Sequence, residues 1–181
     1  RRGSDAREAN NQKADNGKQM SKHTKWVACW GNATSITDRR EATFAKDLTL
    51  RYPIRMTFGG DRLRLRFSNL TGTEAVRLTK VTLALTGDGA RTTRRLTFGG
   101  GEVADIAPGR ELTSDEVGLD VEAGQTLEVN IYLGGFTQMN AGTLITGPLS
   151  HGQYAYGDHT EAETLPLGLS RKTNWFYFLN T

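Results

Sequence analysis

Cysteine and long apolar runs are nearly missing from this chain of 181 residues, and both absences limit what it can be. Cys29 is the only cysteine, so no disulfide can form within the chain. No apolar run approaches the ~20 residues that a membrane-spanning helix needs. Arg1 and Arg2 are not followed by the apolar segment of a secretion signal, so we expect no signal peptide in this sequence.

The motifs that carry common enzyme chemistry are missing as well. The sequence contains no Gly-x-Ser-x-Gly, no Ser-x-x-Lys, no His-Glu-x-x-His and no phosphate-binding glycine loop. His23, His151 and His159, together with the single cysteine, offer no compact set of metal ligands. We therefore expect no catalytic constellation, no metal and no cofactor in this chain.

Positive charge is concentrated near the N-terminus. Residues 1–25 hold seven Lys or Arg against three Asp or Glu, a net charge of +4. Because the whole chain carries +3, residues 26–181 carry −1. A near-neutral folded part lacks the basic surface that binds phosphate backbones, and no nucleic-acid partner is expected. The same polar segment lacks the apolar residues for a core, which predicts a flexible leader at 1–25, with a short helix as the alternative.

After Trp26 the sequence alternates between apolar and polar residues, as strands with one buried face do. In 62–67 three apolar residues fall on one face and three arginines on the other. Segments 76–78 and 81–85 alternate out of phase, which predicts a bulge or kink at the two residues between them. Further strands are predicted at 117–121, 127–133 and 175–179, the last of them buried on both faces.

Glycine pairs and triplets separate these segments, for example at 59–60, 99–101 and 134–135. Short strands joined by glycine turns are typical of antiparallel sandwiches. The sequence therefore predicts an all-β fold, an antiparallel β-sandwich of the jelly-roll type, formed by 26–181 as one domain.

Arginines form a stripe on the polar face of the strand predicted at 62–67. Its members are Arg62, Arg64 and Arg66, and we expect Arg51 and Arg55 to join them from the preceding segment. Such a stripe is usually a solvated sheet face whose arginine stems cover apolar surface. The sharper hypothesis is a docking surface for an acidic partner or a second domain.

Histidines and aromatic residues supply further candidates. His151, Tyr154 and His159 lie in one short polar segment where Asp158 could orient an imidazole. No serine is singled out as a nucleophile, so the simpler interpretation is a polar loop packed over tyrosines. Three tryptophans could stack on sugar rings but in a domain of this size more often belong to the core, namely Trp26, Trp30 and Trp175.

Several short blocks follow one another in the sequence. The most specific is 59–72, Gly-Gly-Asp-Arg-Leu-Arg-Leu-Arg-Phe-Ser-Asn-Leu-Thr-Gly. The others are 26–33 (Trp-Val-Ala-Cys-Trp-Gly-Asn-Ala), 96–100 (Leu-Thr-Phe-Gly-Gly), 106–109 (Ile-Ala-Pro-Gly), 113–117 (Thr-Ser-Asp-Glu-Val) and 127–133. In this order they resemble the N-terminal β-sandwich region that precedes the catalytic domain in SGNH (GDSL-type) hydrolases, although Asn130 stands where the family has a serine.

This resemblance implies an accessory domain of a serine ester hydrolase, of carbohydrate-esterase or lipase type, with an SGNH catalytic domain as its partner. The family's Gly-Asp-Ser and Asp-x-x-His blocks are missing from this sequence. The resemblance thus implies that the catalytic residues lie elsewhere in a longer parent protein or in a separate chain. It also favours a secreted or cell-envelope location.

Ser68 and Asn69 close the first strand of the most specific block. A hydroxyl and an amide at this point can bond the backbone of the turn that ends at Gly72, a structural role. The same two side chains, with the three stripe arginines and the residues at 151, 154 and 159, are candidates for contact with a substrate or a second domain.

Two other functions remain open. One is a free-standing carbohydrate-binding module that uses Trp30, Tyr154 or Tyr156, with carbohydrate as the partner. The other is a structural jelly roll that oligomerises through its edge strands.

Overall fold

The computed structural model of the protein describes residues 25–33, 43–87, 90–147 and 151–181. In these ranges all paired regular structure is antiparallel β-strand, and the predicted all-β fold is confirmed. None of the described residues belongs to a helix long and apolar enough to cross a membrane. Apart from Lys25, the leader predicted at 1–25 lies outside the described residues.

The strands follow one another closely along the chain. They are β1 (Phe44–Ala45), β2 (Leu48–Arg55), β3 (Gly60–Leu63), β4 (Arg66–Ser68), β5 (Val76–Leu78), β6 (Lys80–Gly87), β7 (Ala90–Arg95), β8 (Ala104–Ile106), β9 (Glu111–Thr113), β10 (Val117–Val121), β11 (Thr126–Leu133), β12 (Thr137–Gln138), β13 (Gly142–Leu144), β14 (Gly152–Tyr156), β15 (Arg171–Thr173) and β16 (Trp175–Tyr177).

The largest sheet has six strands in the order β15-β14-β2-β11-β6-β7. At its centre β2 and β11 run in continuous register, from Leu48 opposite Leu133 to Arg55 opposite Thr126. Because side chains alternate along a strand, one face of this pair is apolar and the other largely polar. The buried apolar side chains are Leu48, Leu50, Tyr52, Ile54, Leu127, Val129, Ile131 and Leu133.

The remaining strands form short antiparallel pairs: β1 with β12, β3 with β10, β4 with β9, β5 with β8, and β13 with β16. Their apolar side chains share one hydrophobic cluster with those of the six-stranded sheet. Burial of this apolar surface is the main favourable contribution to folding. The finer assignment to a jelly-roll sandwich stays a prediction.

The segment 62–67 shows how the predicted alternation works in three dimensions. Leu63, Leu65 and Phe67 are buried and the three arginines between them are exposed, as predicted. The single strand predicted here is nevertheless divided into β3 and β4, which pair with different partners. At the break, Leu65 exchanges hydrogen bonds with Ser114: its N–H donates to the serine Oγ at 2.9 Å and its carbonyl accepts from the serine N–H at 2.8 Å.

The predicted irregularity after residue 78 is a change of sheet. The strand β5 pairs with β8, whereas β6, which begins at Lys80, lies in the six-stranded sheet between β11 and β7. Thr79 joins them, and its N–H donates to the carbonyl of Tyr132 at 3.0 Å.

The aromatic segment 175–179 differs from the prediction of one strand buried on both faces. The strand β16 ends at Tyr177, and Phe178 takes a positive φ of 65°, which is rare for a bulky residue. Phe178 donates its N–H to the carbonyl of Ala141, just before β13, and its carbonyl accepts from the N–H of Ser68 in β4. The segment after β16 is thereby bonded to β4. Phe178 and Leu179 are consecutive and both buried because of this turn.

Candidate functional site

The three predicted stripe residues stay together on the surface, and we call Arg62, Arg64 and Arg66 the arginine face. Arg62 forms an ion pair with Glu116, and this hydrogen bond raises the pKa of the guanidinium. The guanidinium of Arg64 lies 4.3 Å from the ring centre of Trp26, a cation–π distance. All three side chains are exposed in spite of these contacts, so an outside partner can reach them.

A cleft of about 780 Å³ adjoins the arginine face. Lys25, Trp26 and Val27 form one wall, and Phe58 and Arg62 belong to the other. Phe58 is 53% exposed and Trp26 is 38% exposed. Large apolar side chains at the rim of an open cleft are typical of surfaces that bind another molecule.

A smaller opening of about 90 Å³ lies beside the segment 26–30. Its walls include core side chains of the sheet, Ile54, Met56 and Leu127, together with Trp30. The ring of Trp30 packs on Phe176 at 5.8 Å between centres, and Trp30 is half-buried. The opening is therefore apolar and has room for one small apolar group.

The segment 26–33 is held over these openings by hydrogen bonds to distant strands. The hydroxyl of Thr57 donates to the carbonyl of Cys29 at 2.6 Å. Asn32 donates its N–H to Asn180 and its side-chain amide to the carbonyl of Leu179. Thr181 lies at the same face, since it lines both the small opening and a depression shared with Arg64 and Arg66.

Arg51 does not join the arginine face, and that expectation is wrong. Its side chain is only 6% exposed and lies on the polar face of β2, under the loop 157–163. The guanidinium donates to the carbonyls of His159, Ala162 and Glu163 at 3.2, 2.6 and 3.0 Å. It also donates to Oδ1 of Asn130 at 2.6 Å. Arg55 is exposed and lines a separate depression beside Cys29 and Trp30.

Further polar contacts hold the loop 157–163 against the six-stranded sheet. The hydroxyls of Thr49 and Thr82 donate to the carbonyls of Gly157 and Thr160. Lys80 and Arg95 form ion pairs with Asp158 and Glu161. Burial by itself would raise the pKa of Asp158, but hydrogen bonds from Lys80 and Thr160 bring it below its usual value. We call this set of contacts, with Arg51 at its centre, the Arg51 network.

The histidine segment is not assembled into a catalytic group. His159 belongs to the loop of the Arg51 network, and its Nε2 lies 2.8 Å from the carbonyl of Tyr156. His151 is exposed next to β14, and Tyr154 is half-buried against the core. Because Tyr154 is paired with the inward-facing Leu50, its side chain lies on the opposite face of the sheet from the Arg51 network.

Ser68 and Asn69 are completely buried, so neither side chain reaches a partner or a substrate. The Ser68 hydroxyl accepts from the N–H of Leu70, which is the local bond expected from the sequence. The amide of Asn69 donates to the carbonyls of Glu74 and Ile106 at 2.9 and 3.0 Å. Asn69 therefore ties the turn after β4 to the end of β8.

The Ser-Asn-x-x-Gly pattern has a steric cause at Gly72. A Cβ at this position would lie 1.9 Å from Oδ1 of Asn69, so only glycine fits against that side chain. The backbone carbonyl of Asn69 also accepts hydrogen bonds from Gly72 and Gly109. Two of the resemblance blocks, 59–72 and 106–109, thus meet at one buried residue.

A second junction joins the blocks 96–100 and 113–117. The carboxylate of Asp115 accepts hydrogen bonds from the hydroxyl of Thr97 and the N–H groups of Gly99 and Gly100 at 2.7 to 2.9 Å. These bonds, the Thr97 hydroxyl first, lower the pKa of Asp115. The residues that carry the family resemblance are therefore chiefly structural.

Sequence reasoning missed the Arg51 network entirely. Thr82 and Asn130 each follow the alternation that places a polar residue on the outer face, which suggested ordinary exposed positions. Their complete burial depends on the loop 157–163, whose polar composition does not reveal that it packs on this sheet face. Asn130 is one of several polar residues that alternate with apolar ones along β11, so its position in the sequence does not single it out.

Neither the scan against protein-family models nor the search of curated proteins found a match to this chain. The resemblance to SGNH hydrolases therefore stays a hypothesis. Across the described ranges, no three His, Cys, Asp or Glu side chains gather closely enough to hold a metal ion.

Proposed function

We propose that this chain is an accessory β-domain that docks through its arginine face onto a second folded domain, an ester hydrolase of the SGNH type. The observation that carries the docking role is the combination, on one face, of exposed arginines and the large cleft. The hydrolase assignment rests on the sequence blocks, above all 59–72.

The chemistry of the face suits a protein surface. Aromatic and arginine side chains contribute most of the binding energy at protein interfaces, and Trp26, Phe58 and the arginines supply both types here. The apolar opening of about 90 Å³ can accept one small side chain of a partner. Such an anchor, buried in a pocket and surrounded by polar groups, is how standard interfaces are built.

The charges favour an acidic partner surface. Arg64 stacks on Trp26, and neither Arg64 nor Arg66 forms an ion pair with a described residue. Each guanidinium can donate two parallel hydrogen bonds to a carboxylate of a partner. Complementary charges of this kind fix the register of two surfaces more than they add affinity.

The cleft beside the arginine face carries the titratable side chains Lys25 and Asp61 but none of the predicted serine and histidine candidates. Ser68, in the strand of Arg66, is buried, and both described histidines lie beside β14. In this proposal the domain shapes the approach of a substrate to a catalytic centre on the hydrolase domain.

The hydrolase assignment is tested by the coding sequence that follows Thr181 or by a neighbouring gene. A Gly-Asp-Ser block within a few dozen residues of Thr181, followed far downstream by Asp-x-x-His, would support it. A neighbouring reading frame with both blocks would support the separate-chain form. If neither is present, the hydrolase assignment is abandoned.

The docking role is tested in the full parent protein by charge reversal, with the triple variant R62E/R64E/R66E. We expect faster hydrogen exchange at 58–66 and slower hydrolysis of p-nitrophenyl acetate, because the arginine face no longer contacts the hydrolase domain. The variant R94E/R110E, which reverses two exposed arginines elsewhere, is the matched control. Unchanged exchange at 58–66 in the triple variant would rule out docking through this face.

A carbohydrate-binding role is the second candidate, and exposed aromatic rings favour it. Of the three residues predicted for it, Tyr156 is 69% exposed, whereas Trp30 and Tyr154 are half-buried. Phe136 and Phe44 stack at 4.7 Å and are both exposed. Affinity electrophoresis in polysaccharide gels distinguishes the candidates. Retardation of this chain that is lost in Phe136→Ala or Tyr156→Ala would support sugar binding. If the unaltered chain is not retarded by the polysaccharide, sugar binding is excluded.

A further inference from the structure

The loop between β14 and β15 ends in an apolar tip, and we call residues 164–170 the leucine loop. Leu167 is 98% exposed and Leu169 is 69% exposed, the first being the most exposed large apolar side chain among the described residues. Leu165, by contrast, is buried. Leu167 and Leu169, two positions apart at the tip of one loop, form an exposed apolar site of the kind that marks an interaction surface.

The leucine loop has a defined shape. The N–H groups of Leu169 and Ser170 both donate to the carbonyl of Pro166 at 3.2 Å, and Gly168 takes a positive φ of 80° within this turn. The preceding residues 157–163 are fixed to the sheet by the Arg51 network. An apolar tip on a fixed base loses little conformational entropy when it inserts into another phase.

Two cations stand where the leucine loop enters the edge strand β15. Arg171 and Lys172 are exposed, and neither forms an ion pair with a described residue. Arg171 donates to the carbonyl of Gly168 within the turn. Glu163, on the other limb of the loop, is the one exposed acid within this stretch of 162–173.

We propose that the leucine loop is a docking element for an anionic lipid surface, with Leu167 and Leu169 inserted between acyl chains and the basic pair at the phosphate level. A convex tip enters a deformable lipid layer without needing a matching pocket. Exposed apolar side chains next to basic residues give this combination of hydrophobic and electrostatic attraction. The inference concerns a different surface from the arginine face and does not depend on the hydrolase assignment.

The test is cosedimentation of the full chain with vesicles of phosphatidylcholine, with or without phosphatidylglycerol. We expect binding to the anionic vesicles and a loss of about tenfold or more in L167S/L169S, because two apolar side chains no longer insert. The variant R171Q/K172Q should lose about fivefold per cation removed. The zwitterionic vesicles should bind weakly.

The controls separate the leucine loop from other surfaces. L70S/V103S replaces two side chains that are each 51% exposed elsewhere and should bind as the unaltered chain does. Retained binding in L167S/L169S would overturn the proposal and point to another region, such as the basic stretch 1–25. So would a larger particle in light scattering that L167S/L169S abolishes, because the tip would then contact a second copy. Absence of binding to anionic vesicles also overturns it.

Discussion

Two groups of arginines in this molecule differ in their surroundings although both come from alternating strand sequences. Arg62, Arg64 and Arg66 lie on a surface open to solvent. Arg51 also lies on a polar sheet face, but only 6% of its side chain is exposed. The difference is the loop 157–163, which covers Arg51, whereas the arginine face stays exposed among the described residues.

The two groups should therefore contribute to different properties. A buried guanidinium with four hydrogen bonds cannot lose its partners without leaving polar atoms unpaired, which is costly in a low-dielectric interior. Exposed arginines exchange any lost contact for water, so their removal costs little stability. The Arg51 network should control folding, and the arginine face should control association.

The largest expected effect is that of Arg51→Met. Three loop carbonyls and Asn130 lose their donor, and we expect the free energy of unfolding to fall by about 3–5 kcal/mol in urea titrations. Arg55→Met, in the same strand but exposed, is the matched control and should change it by less than about 0.5 kcal/mol.

If Arg51→Met fails to fold, Arg51→Lys keeps the charge and removes the planar fork. Its loss should be smaller, and limited proteolysis should then cut within 157–170 faster than in the unaltered protein. If both variants are as stable as the unaltered protein, the Arg51 network does not control folding.

Asn69 is the next largest case, because it is a buried polar hub like Arg51 but uncharged. Asn69→Ala leaves the carbonyls of Glu74 and Ile106 unpaired and should cost about 2–3 kcal/mol. Gly72→Ala should be similarly harmful, because the new Cβ would meet Oδ1 of Asn69. In the double variant Asn69→Ala/Gly72→Ala this clash is gone, so its loss of stability should be smaller than the sum of the two single losses. Strict additivity in thermal unfolding would contradict the steric account.

Asp158 gives a smaller effect with a definite pH dependence. Although burial opposes it, the bonds from Lys80 and Thr160 lower the pKa of this carboxyl below its ordinary 3.8 in the folded protein. A lowered folded-state pKa stabilises the protein above the unfolded-state value, and that stability is lost as the pH falls through the folded value. Asp158→Asn should cost about 1 kcal/mol or less near neutrality, because the pair is partly exposed. The difference from the unaltered protein should shrink as the pH falls below 3.8 in urea titrations, and a difference that is independent of pH would contradict the role of these bonds.

The local part of this fold was predictable from sequence, and the long-range part was not. Alternation at 62–67 correctly placed Leu63, Leu65 and Phe67 inside, because burial there follows from the period of one strand. The same rule put Arg51 on the outer face but could not reveal its cover, since His159 is 108 positions away. The division of 62–67 into two strands depends on Ser114, another distant residue.

The candidate site was predictable to the same extent. The sequence located the arginine face because exposure of Arg62, Arg64 and Arg66 follows from the strand period. It did not locate the cleft, because Trp26 and Phe58 are distant in sequence and line it together only in the fold, where Thr57 donates to the carbonyl of Cys29. For Asn69 the sequence suggested the local turn, whereas the bond to Ile106 required the fold.

The smallest expected effect belongs to the arginine face and decides whether the two groups of arginines are distinct. Arg64→Gln removes the contact with Trp26 and should cost about 0.5–1 kcal/mol, the usual value of an exposed cation–π pair. Arg66→Gln, which breaks no side-chain contact of the described residues, should stay within about 0.5 kcal/mol in the same urea titrations. A loss as large as that of Arg51→Met would mean that Arg66 is covered in solution. Stability that is unchanged, together with weaker docking in the parent protein, is the outcome required of an arginine that acts in association.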